Sequence, residues 1–360
     1  MWPVLAAASV SEAASLLAKQ WASLAVGTDD AAAAREPHWA TANTIALELK
    51  TVRLRDFSIA ANGIPTLLCA PFALHGAAVV DLAPGHSLVA ALRKAGLKRL
   101  FVTDWRSAVD DMRFLRIDDY LADLNVLVDE LGGAVDLIGL CQGGWLSLLY
   151  AARFPAKVRK LVLAGAPIDI AAAPSALTSL VEASPPALFQ ELVALGDGRV
   201  LGRKVQRFWG PETVSAEDVR QMLQTPEPIG SPAFAKLETI FRDWYAWTVD
   251  LPGPYYLEVI EKLYRRNEIA TGQFVALGKT IDLMNVRVPL FLLAAHNDEL
   301  IAPAQLFATE RLVRSLDVRK ETAQCRHAAL FMGKNTLDRC WPRIVGWMLA
   351  PVITSRDAAE

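Results

Sequence analysis

The sequence is poor in cysteine and has no surplus of basic residues. Its 360 residues contain four cysteines, and no two of them have the C-x-x-C spacing of a redox or metal site. So few cysteines do not build the disulfide framework of a secreted protein, which favours a reducing compartment such as the cytoplasm. Lys and Arg (37) do not outnumber Asp and Glu (39), and the net charge of −2 argues against nucleic acid as a partner.

Long apolar runs and leader-like features are missing as well. A charged or turn residue interrupts every apolar stretch well before the roughly 18 to 20 residues that a bilayer requires. The N-terminus is apolar, but it has no Lys or Arg before Lys19 and is interrupted by Glu12. We therefore expect neither a transmembrane segment nor a signal peptide.

The residues that are present predict a large α/β domain. Apolar residues make up 53% of the chain and the mean hydropathy is +0.25, so the chain can bury an extensive core. Several strand-like runs, such as 161–164 and 290–294, are apolar throughout, as in strands that helices cover on both faces. This pattern predicts a mostly parallel, doubly wound sheet. Its strands are predicted at residues 51–59, 66–70, 99–105, 135–140, 160–166, 289–295 and 318–322.

The chain divides into four predicted parts. Residues 1–25 have apolar and small residues at helical spacing, and residues 31–34 look like a second short helix or a linker, so residues 1–50 are expected to form an N-terminal helical segment. Residues 51–170 form the first part of the core. Between 171 and 286 the β signal gives way to helical stretches punctuated by proline, which we interpret as a helical cap inserted over the sheet. Residues 287–360 complete the core.

A glycine-rich turn around Cys141 is the most informative motif. An apolar run leads into it, a helical stretch follows it, and the turn itself reads Gly139-Leu140-Cys141-Gln142-Gly143-Gly144. Strand, sharp turn and helix form the layout of a nucleophile elbow, in which the positions two before and two after the nucleophile leave room only for glycine. A thiol at a helix N-terminus also meets the positive end of the helix dipole, which favours the attacking thiolate. Cys141 is the predicted nucleophile; the alternative is a small buried cysteine in an ordinary turn.

An elbow nucleophile requires an acid and then a histidine, both from loops that follow later strands. Asp298 follows the run 289–295 and His327 follows the last predicted strand, which gives the required chain order. We expect Asp298 to fix the tautomer of His327, and His327 to take the thiol proton and later activate an acceptor hydroxyl. The lower-ranked alternatives are Glu299 or Asp169 as the acid and His75, His86 or His296 as the base.

Stabilising the oxyanion requires two backbone N–H groups beside the nucleophile. The first is expected from Gln142, directly after Cys141. The second is expected from the loop 70–76, which follows the run 66–70, and Leu74 is the candidate within it. Both groups would then lie on one side of the elbow.

Several segments together resemble the polyhydroxyalkanoate synthases, a family of cysteine-dependent acyltransferases with the α/β-hydrolase fold. The elbow is similar to their G-x-C-x-G-G box, and residues 80–89 resemble their D-L-x-P-x-x-S-L-V segment. Residues 247–250 resemble the W-N-x-D stretch, and residues 281–289 resemble the I-D-L-x-x-I-x-x-P entry to the acid strand. The resemblance covers roughly residues 64–350 and is strongest to the shorter two-component synthases.

The resemblance implies a function and a set of partners. It implies that 3-hydroxyacyl-CoA is polymerised into polyester with release of CoA, through a thioester on Cys141. The CoA thioester is a substrate, so neither a cofactor nor a metal is implied. The implied partners are the polyester chain or a granule surface and a second helical subunit or a second copy of the chain, in the cytoplasm or at granules. The implied substrate-binding residues are His75, Trp247 and Asp250.

Three positions depart from the family pattern. His75 occupies a position where many members have Asn, Thr248 replaces the Asn of W-N-x-D, and Arg326 replaces the usual glycine before the histidine. Two alternative functions therefore stay open. One is a hydrolase of the same fold, either an acyl-CoA thioesterase or an intracellular polyester depolymerase, and the other is a non-catalytic granule-associated subunit.

The chemistry of a cysteine nucleophile favours acyl transfer over hydrolysis. An acyl group that moves from CoA to Cys141 remains a thioester, so it keeps the activation that attack by a weakly nucleophilic hydroxyl requires. Water must then be excluded from the site. Aromatic residues of the predicted cap offer an apolar cover: Trp209, Trp244, Tyr245, Trp247, Tyr255 and Tyr256.

Overall fold

The computed structural model describes residues 34–209 and 214–351, with the backbone alone at 207–209. Its strands are β1 (Thr44–Glu48), β2 (Val52–Asp56), β3 (Pro65–Cys69), β4 (Asp81–Ala83), β5 (His86–Ser87), β6 (Arg99–Trp105), β7 (Val135–Leu140), β8 (Val158–Ala164), β9 (Arg199–Val200), β10 (Leu251–Pro252), β11 (Val275–Ala276), β12 (Lys279–Thr280), β13 (Leu290–Ala295) and β14 (Val318–Ala323). Its α-helices are α1 (Leu88–Lys94), α2 (Ile117–Glu130), α3 (Gln142–Arg153), α4 (Ala176–Ala183), α5 (Pro186–Ala194), α6 (Gly202–Trp209), α7 (Ala216–Leu223), α8 (Pro232–Ala246), α9 (Gly253–Glu258), α10 (Pro303–Phe307), α11 (Thr309–Leu312), α12 (Ala329–Met332) and α13 (Lys334–Leu349). A π-helix (Val259–Arg265) continues α9.

Eight of these strands form one sheet in the order β1-β2-β6-β3-β7-β8-β13-β14. The strands from β6 to β14 pair in parallel, and only β1 and β2 are antiparallel at one edge. Neighbouring residues of β7 point into different apolar clusters, with Leu137 in one and Ile138 in the other. Because helices cover both faces, β3, β7 and β13 are buried along their whole length. The predicted mostly parallel, doubly wound sheet is confirmed.

The structure corrects the prediction for the N-terminal segment. The segment 1–50 was expected to be helical, yet Thr44–Glu48 is a strand that pairs antiparallel with Val52–Asp56. It lies at the sheet edge and is largely exposed, so it lacks the continuous apolar character of the central strands. Residues 1–33, on which the rest of that prediction falls, lie outside the described residues.

The segment 171–286 lies between β8 and β13 and contains helices α4 to α9 and the π-helix. Two short strand pairs, β9 with β10 and β11 with β12, also occur there, although only helices were expected. Apolar side chains of the segment join both apolar clusters of the core: Phe189 and Tyr255 belong to one, and Phe241 to the other. The cap is therefore packed onto the sheet. Among the described residues, no helix is both long and apolar enough to cross a bilayer.

The last helix, α13, ends against a buried lysine. Lys160 of β8 is 3% exposed, and its Nζ donates hydrogen bonds to the carbonyl oxygens of Trp347, Met348 and Ala350 at 2.8, 2.9 and 2.6 Å. The final carbonyls of a helix have no partner within the helix, and a positive charge there complements the helix dipole. Lys160 thus fastens the C-terminal helix to the sheet.

Replacing Lys160 with methionine is expected to lower the free energy of unfolding by about 2 to 4 kcal/mol, because three carbonyls at the end of the helix lose the charged donor buried beneath them. Denaturant unfolding measures the change. The control is Lys157→Met, which removes a half-exposed pair with Asp129 and should cost less than about 1 kcal/mol. Equal losses in the two variants would contradict this role of Lys160.

Candidate active site

The backbone at Cys141 has the strained conformation of a nucleophile elbow. Cys141 lies between the end of β7 and the start of α3, with φ 47° and ψ −117°. A residue other than glycine in such a sparsely populated region costs on the order of 1–3 kcal/mol. Two hydrogen bonds hold it: the Cys141 N–H donates to the Ala164 carbonyl, and its own carbonyl accepts from the Gly144 N–H, both at 2.9 Å.

Glycine is required at both ends of the elbow by close backbone contacts. A Cβ on Gly143 would lie 2.3 Å from the Cys69 carbonyl oxygen and 2.6 Å from that of Ala70. A Cβ on Gly139 would lie 2.7 Å from the Cα of Gly144. The first turn of α3 therefore lies directly against the end of β3, where the predicted oxyanion loop begins.

His327 and Asp298 meet beside Cys141. The His327 Nδ1–H donates to Asp298 Oδ2 at 2.8 Å, and the other carboxylate oxygen accepts the N–H groups of Leu300 and Ile301 at 2.9 and 2.8 Å. The Asp298 side chain is 1% exposed. Since Nδ1 is held by the carboxylate, the opposite ring nitrogen is left to interact with Cys141, which lines the same cavity. The structure thus brings together the three residues predicted from chain order.

The charges around His327 favour its protonated form. Burial lowers the pKa of the imidazole, but the neighbouring Asp298 and Cys141 raise it by charge and hydrogen bonding, and the net result is well above the usual value. An imidazolium beside a cysteine is the arrangement that supplies an attacking thiolate in cysteine enzymes.

Arg326 connects the histidine loop to the cap. Its Nη1 donates to Asp218 of α7 at 3.0 Å, and its Nη2 lies 3.4 Å from Glu299. Glu299 in turn accepts the backbone N–H of His327 at 3.0 Å. The arginine that departs from the family pattern thus links the loop of His327 to a cap helix.

The loop after β3 forms one wall of the same site. Leu74 lines the cavity, and its carbonyl accepts the Val249 N–H at 3.0 Å. The His75 ring lies between Trp244 and Tyr245, with ring centroids 4.7 Å apart in each pair. Burial lowers the pKa of His75 to about 4 despite a backbone hydrogen bond at Trp247, so this imidazole is neutral at pH 7.

The cavity above Cys141 has a volume of about 370 Å³ and is predominantly apolar. Cys141, Gln142 and His327 form its floor, and cap residues form its cover. Four of the six aromatic residues expected to cover the site line it: Trp244, Tyr245, Tyr255 and Tyr256. The side chain of Trp209 lies outside the described residues.

Comparison with known proteins places this arrangement in a family. A model of the alpha/beta hydrolase fold family matches residues 83–332. The chain belongs to this family. Two solved structures support the fold: monoacylglycerol lipase from Paleococcus ferrophilus (16% identity, 82% of this chain and 98% of the other, TM-score 0.52) and enol-lactonase from Burkholderia xenovorans LB400 (15%, 83% and 97%, TM-score 0.53). At these identities they support the fold alone.

Curated relatives of this α/β-hydrolase chain share one name, poly(3-hydroxyalkanoate) polymerase subunit PhaC. The protein from Synechocystis sp. is 28% identical over 84% of this chain and 82% of its own length. The protein from Allochromatium vinosum is 25% identical over 75% of this chain and 76% of its own length. The protein from Haloferax mediterranei is 25% identical over 78% of this chain and 57% of its own length. The resemblance predicted from the sequence motifs is confirmed.

Two predicted substrate-binding residues lie elsewhere in this α/β-hydrolase structure. Neither Trp247 nor Asp250 lines the cavity. The Trp247 ring packs against Gly76, where a Cβ would lie 2.4 Å from it. The Asp250 carboxylate accepts the Gly202 N–H at 2.9 Å at the start of α6. Both side chains thus make contacts within the cap and beside it, and their role in substrate binding stays a prediction.

The alternative acids and bases have other partners. The Asp169 carboxylate pairs with Arg311, and the Glu299 carboxylate takes a backbone N–H of His327 rather than its ring. His86 Nδ1–H donates to the Met332 carbonyl at 3.0 Å, and His296 is exposed. His75 lies in the cavity, but its ring is held by aromatic residues of the cap. None of these groups replaces Asp298 or His327 in the observed hydrogen bonds.

Sequence reasoning missed a polar contact between the elbow and the cap. The Gln142 side chain donates from Nε2 to the hydroxyl of Tyr264 at 2.9 Å, and its Oε1 accepts the indole N–H of Trp145. Tyr264 lies on the π-helix, 122 residues from Gln142 along the chain. No local pattern links two residues at such a distance. The only available signal was a tyrosine in an otherwise amphipathic helical stretch.

Proposed function

We propose that this protein is a cysteine-dependent acyltransferase that polymerises 3-hydroxyacyl-CoA into polyhydroxyalkanoate. The observation that carries the proposal is the arrangement of Cys141 and His327 in the lining of one apolar cavity, with His327 hydrogen-bonded to the buried carboxylate of Asp298. The relatives are named polymerase subunits, which supports the same reaction class for this chain. No cofactor is needed, because the CoA thioester is itself the activated substrate.

In the first half of the proposed reaction, transfer of the thiol proton of Cys141 to His327 gives a thiolate beside an imidazolium, and the thiolate attacks the thioester carbon of the substrate. The developing oxyanion is stabilised by the N–H of Gln142 and by a second N–H from the loop at Leu74. Gln142 is the first residue of α3, so its N–H has no partner within the helix. The bond to the CoA sulfur then breaks, CoA leaves with the proton from His327, and an acyl thioester remains on Cys141.

In the second half, His327 takes the proton of a 3-hydroxyl group on another acyl unit or on the chain end. The hydroxyl oxygen attacks the thioester on Cys141, an ester bond forms, and the sulfur leaves and regains the proton. Asp298 holds the imidazole in the orientation that both proton transfers need. The apolar cover of the cavity favours a hydroxyl of the polyester over water as the acceptor.

The proposed partners follow from this reaction. The polyester chain would leave through the cavity, which places the enzyme at the surface of a polymer granule in the cytoplasm. The relatives are called subunits, so we include a second, helical subunit or a second copy of the chain among the proposed partners.

Product analysis tests the proposed function. Purified wild type and Cys141→Ala are mixed with 3-hydroxybutyryl-CoA, and both released CoA and acid-insoluble polyester are measured. We expect CoA release and polyester from the wild type alone. Free 3-hydroxybutyrate as the sole product would identify a hydrolase instead. CoA release that persists in Cys141→Ala, or none in either protein, would contradict the catalytic role of Cys141.

A further inference from the structure

The hydrogen bonds of Gln142 fix the direction of its contact with Tyr264. The indole nitrogen of Trp145 can only donate, so the amide oxygen of Gln142 must face it. The amide nitrogen therefore faces Tyr264 and donates to the phenol oxygen at 2.9 Å. Because that oxygen acts as the acceptor, the phenol keeps its own proton for another partner.

The proton of Tyr264 has no acceptor among the described residues. The one hydrogen bond of its hydroxyl is the bond that it accepts from Gln142. Burial raises the pKa of the phenol far above its usual range, and the neighbouring Cys141 adds to the shift, so the group stays neutral and remains a donor. A buried donor without an acceptor costs free energy unless a ligand pairs with it.

The hydroxyl is well placed to meet an acyl group on Cys141. Tyr264 and Cys141 line the same cavity, and they are close enough for the thiol to raise the pKa of the phenol although no hydrogen bond joins them. Tyr264 is also anchored to the residue directly after the nucleophile, on a π-helix, a rare form that is frequent at functional sites. An acyl group bound to Cys141 extends into the cavity that the phenol lines.

A 3-hydroxyacyl group differs from a plain acyl group by one oxygen, two carbons beyond the thioester carbon. A side chain that recognises this oxygen must therefore lie beside the nucleophile. Of the groups beside the nucleophile, His327 is held by Asp298, and the Gln142 amide is held by Trp145 and Tyr264. The Tyr264 phenol keeps a proton for another partner and is fixed to the residue that follows the nucleophile.

We infer that the Tyr264 hydroxyl donates a hydrogen bond to the 3-position oxygen of the acyl group on Cys141 and makes the site selective for 3-oxygenated acyl groups. This inference rests on the proposed function. It adds a specificity-determining residue that no sequence motif indicated.

The test compares acylation by 3-hydroxybutyryl-CoA and butyryl-CoA in wild type and Tyr264→Phe. CoA release is followed in a single turnover by rapid quenching and chromatography. We expect the wild type to prefer the hydroxylated thioester. Relative to wild type, Tyr264→Phe should be acylated about 10-fold more slowly by 3-hydroxybutyryl-CoA, as expected for the loss of one hydrogen bond to a buried group. Its rate of acylation by butyryl-CoA should change less than about 3-fold.

The matched control is Tyr255→Phe. Tyr255 is another buried tyrosine of the cavity wall, but its ring packs against Phe72 and Tyr120 and it does not contact Gln142 through a hydrogen bond. This variant should keep the wild-type preference. An equal loss with both substrates in Tyr264→Phe, no loss with either, or an equal change of preference in Tyr255→Phe would overturn the inference. Acylation of wild type by neither thioester would instead refute the proposed function, so the two failures are distinguishable.

Discussion

Replacing His327 with alanine is expected to slow acylation of Cys141 by about 10³- to 10⁴-fold. The imidazole lines the same cavity as the thiol, and Asp298 and Cys141 raise its pKa, which favours transfer of the thiol proton to it. Without it, no other described side chain takes the thiol proton. Rapid-quench measurement of CoA release from 3-hydroxybutyryl-CoA gives the rate.

The Asp298→Asn variant separates the role of His327 in acylation of Cys141 from its role in the later transfer of the acyl group to a hydroxyl. The thiol and imidazole remain in place, so acylation should fall by only about 10-fold, whereas transfer to a hydroxyl, which needs the correctly oriented neutral base, should fall by about 100-fold or more. Equal and mild effects of the two substitutions would mean that His327 is not the base.

Replacing Gly143 with alanine is expected to lower the free energy of unfolding by about 3 kcal/mol or more and to abolish acylation. The new Cβ would lie 2.3 Å from the Cys69 carbonyl oxygen, a backbone atom that cannot move aside without shifting β3. Either α3 or the oxyanion loop must then leave its position. Denaturant unfolding and the acylation rate report the two consequences.

Gly346→Ala is the matched control for this substitution. Gly346 lies within α13, and a Cβ there would meet no atom within 4 Å. Alanine should therefore stabilise the helix by about 0.5 to 1 kcal/mol and leave acylation unchanged. A Gly143→Ala protein with wild-type stability and rate would refute the packing account of the elbow.

The core of the fold was predictable because its strands are buried on both faces. Such strands read as apolar runs, and the bounds predicted for residues 99–105 and 135–140 agree with β6 and β7. The candidate triad was predictable for a related reason. The elbow at Cys141, the acid Asp298 and His327 each follow a strand, and parallel strands bring their carboxyl ends to one edge of the sheet.

The features of the fold and of the site that were not predicted depend on contacts that no local sequence pattern encodes. Thr44–Glu48 was missed because an exposed edge strand carries little hydrophobic signal. The contacts of Trp247 with Gly76 and of Asp250 with Gly202 were not predicted, since a motif shows which residue is present but not where its side chain points. The contact between Gln142 and Tyr264 exists only after the cap has packed on the elbow.

The most direct test of the account is the mass of the protein after brief mixing with 3-hydroxybutyryl-CoA, followed by mapping of the modified peptide. The account predicts one added 3-hydroxybutyryl group on the peptide that contains Cys141 and no adduct in Cys141→Ala. An adduct on Cys69 or Cys325, or CoA release that continues in Cys141→Ala, would contradict it.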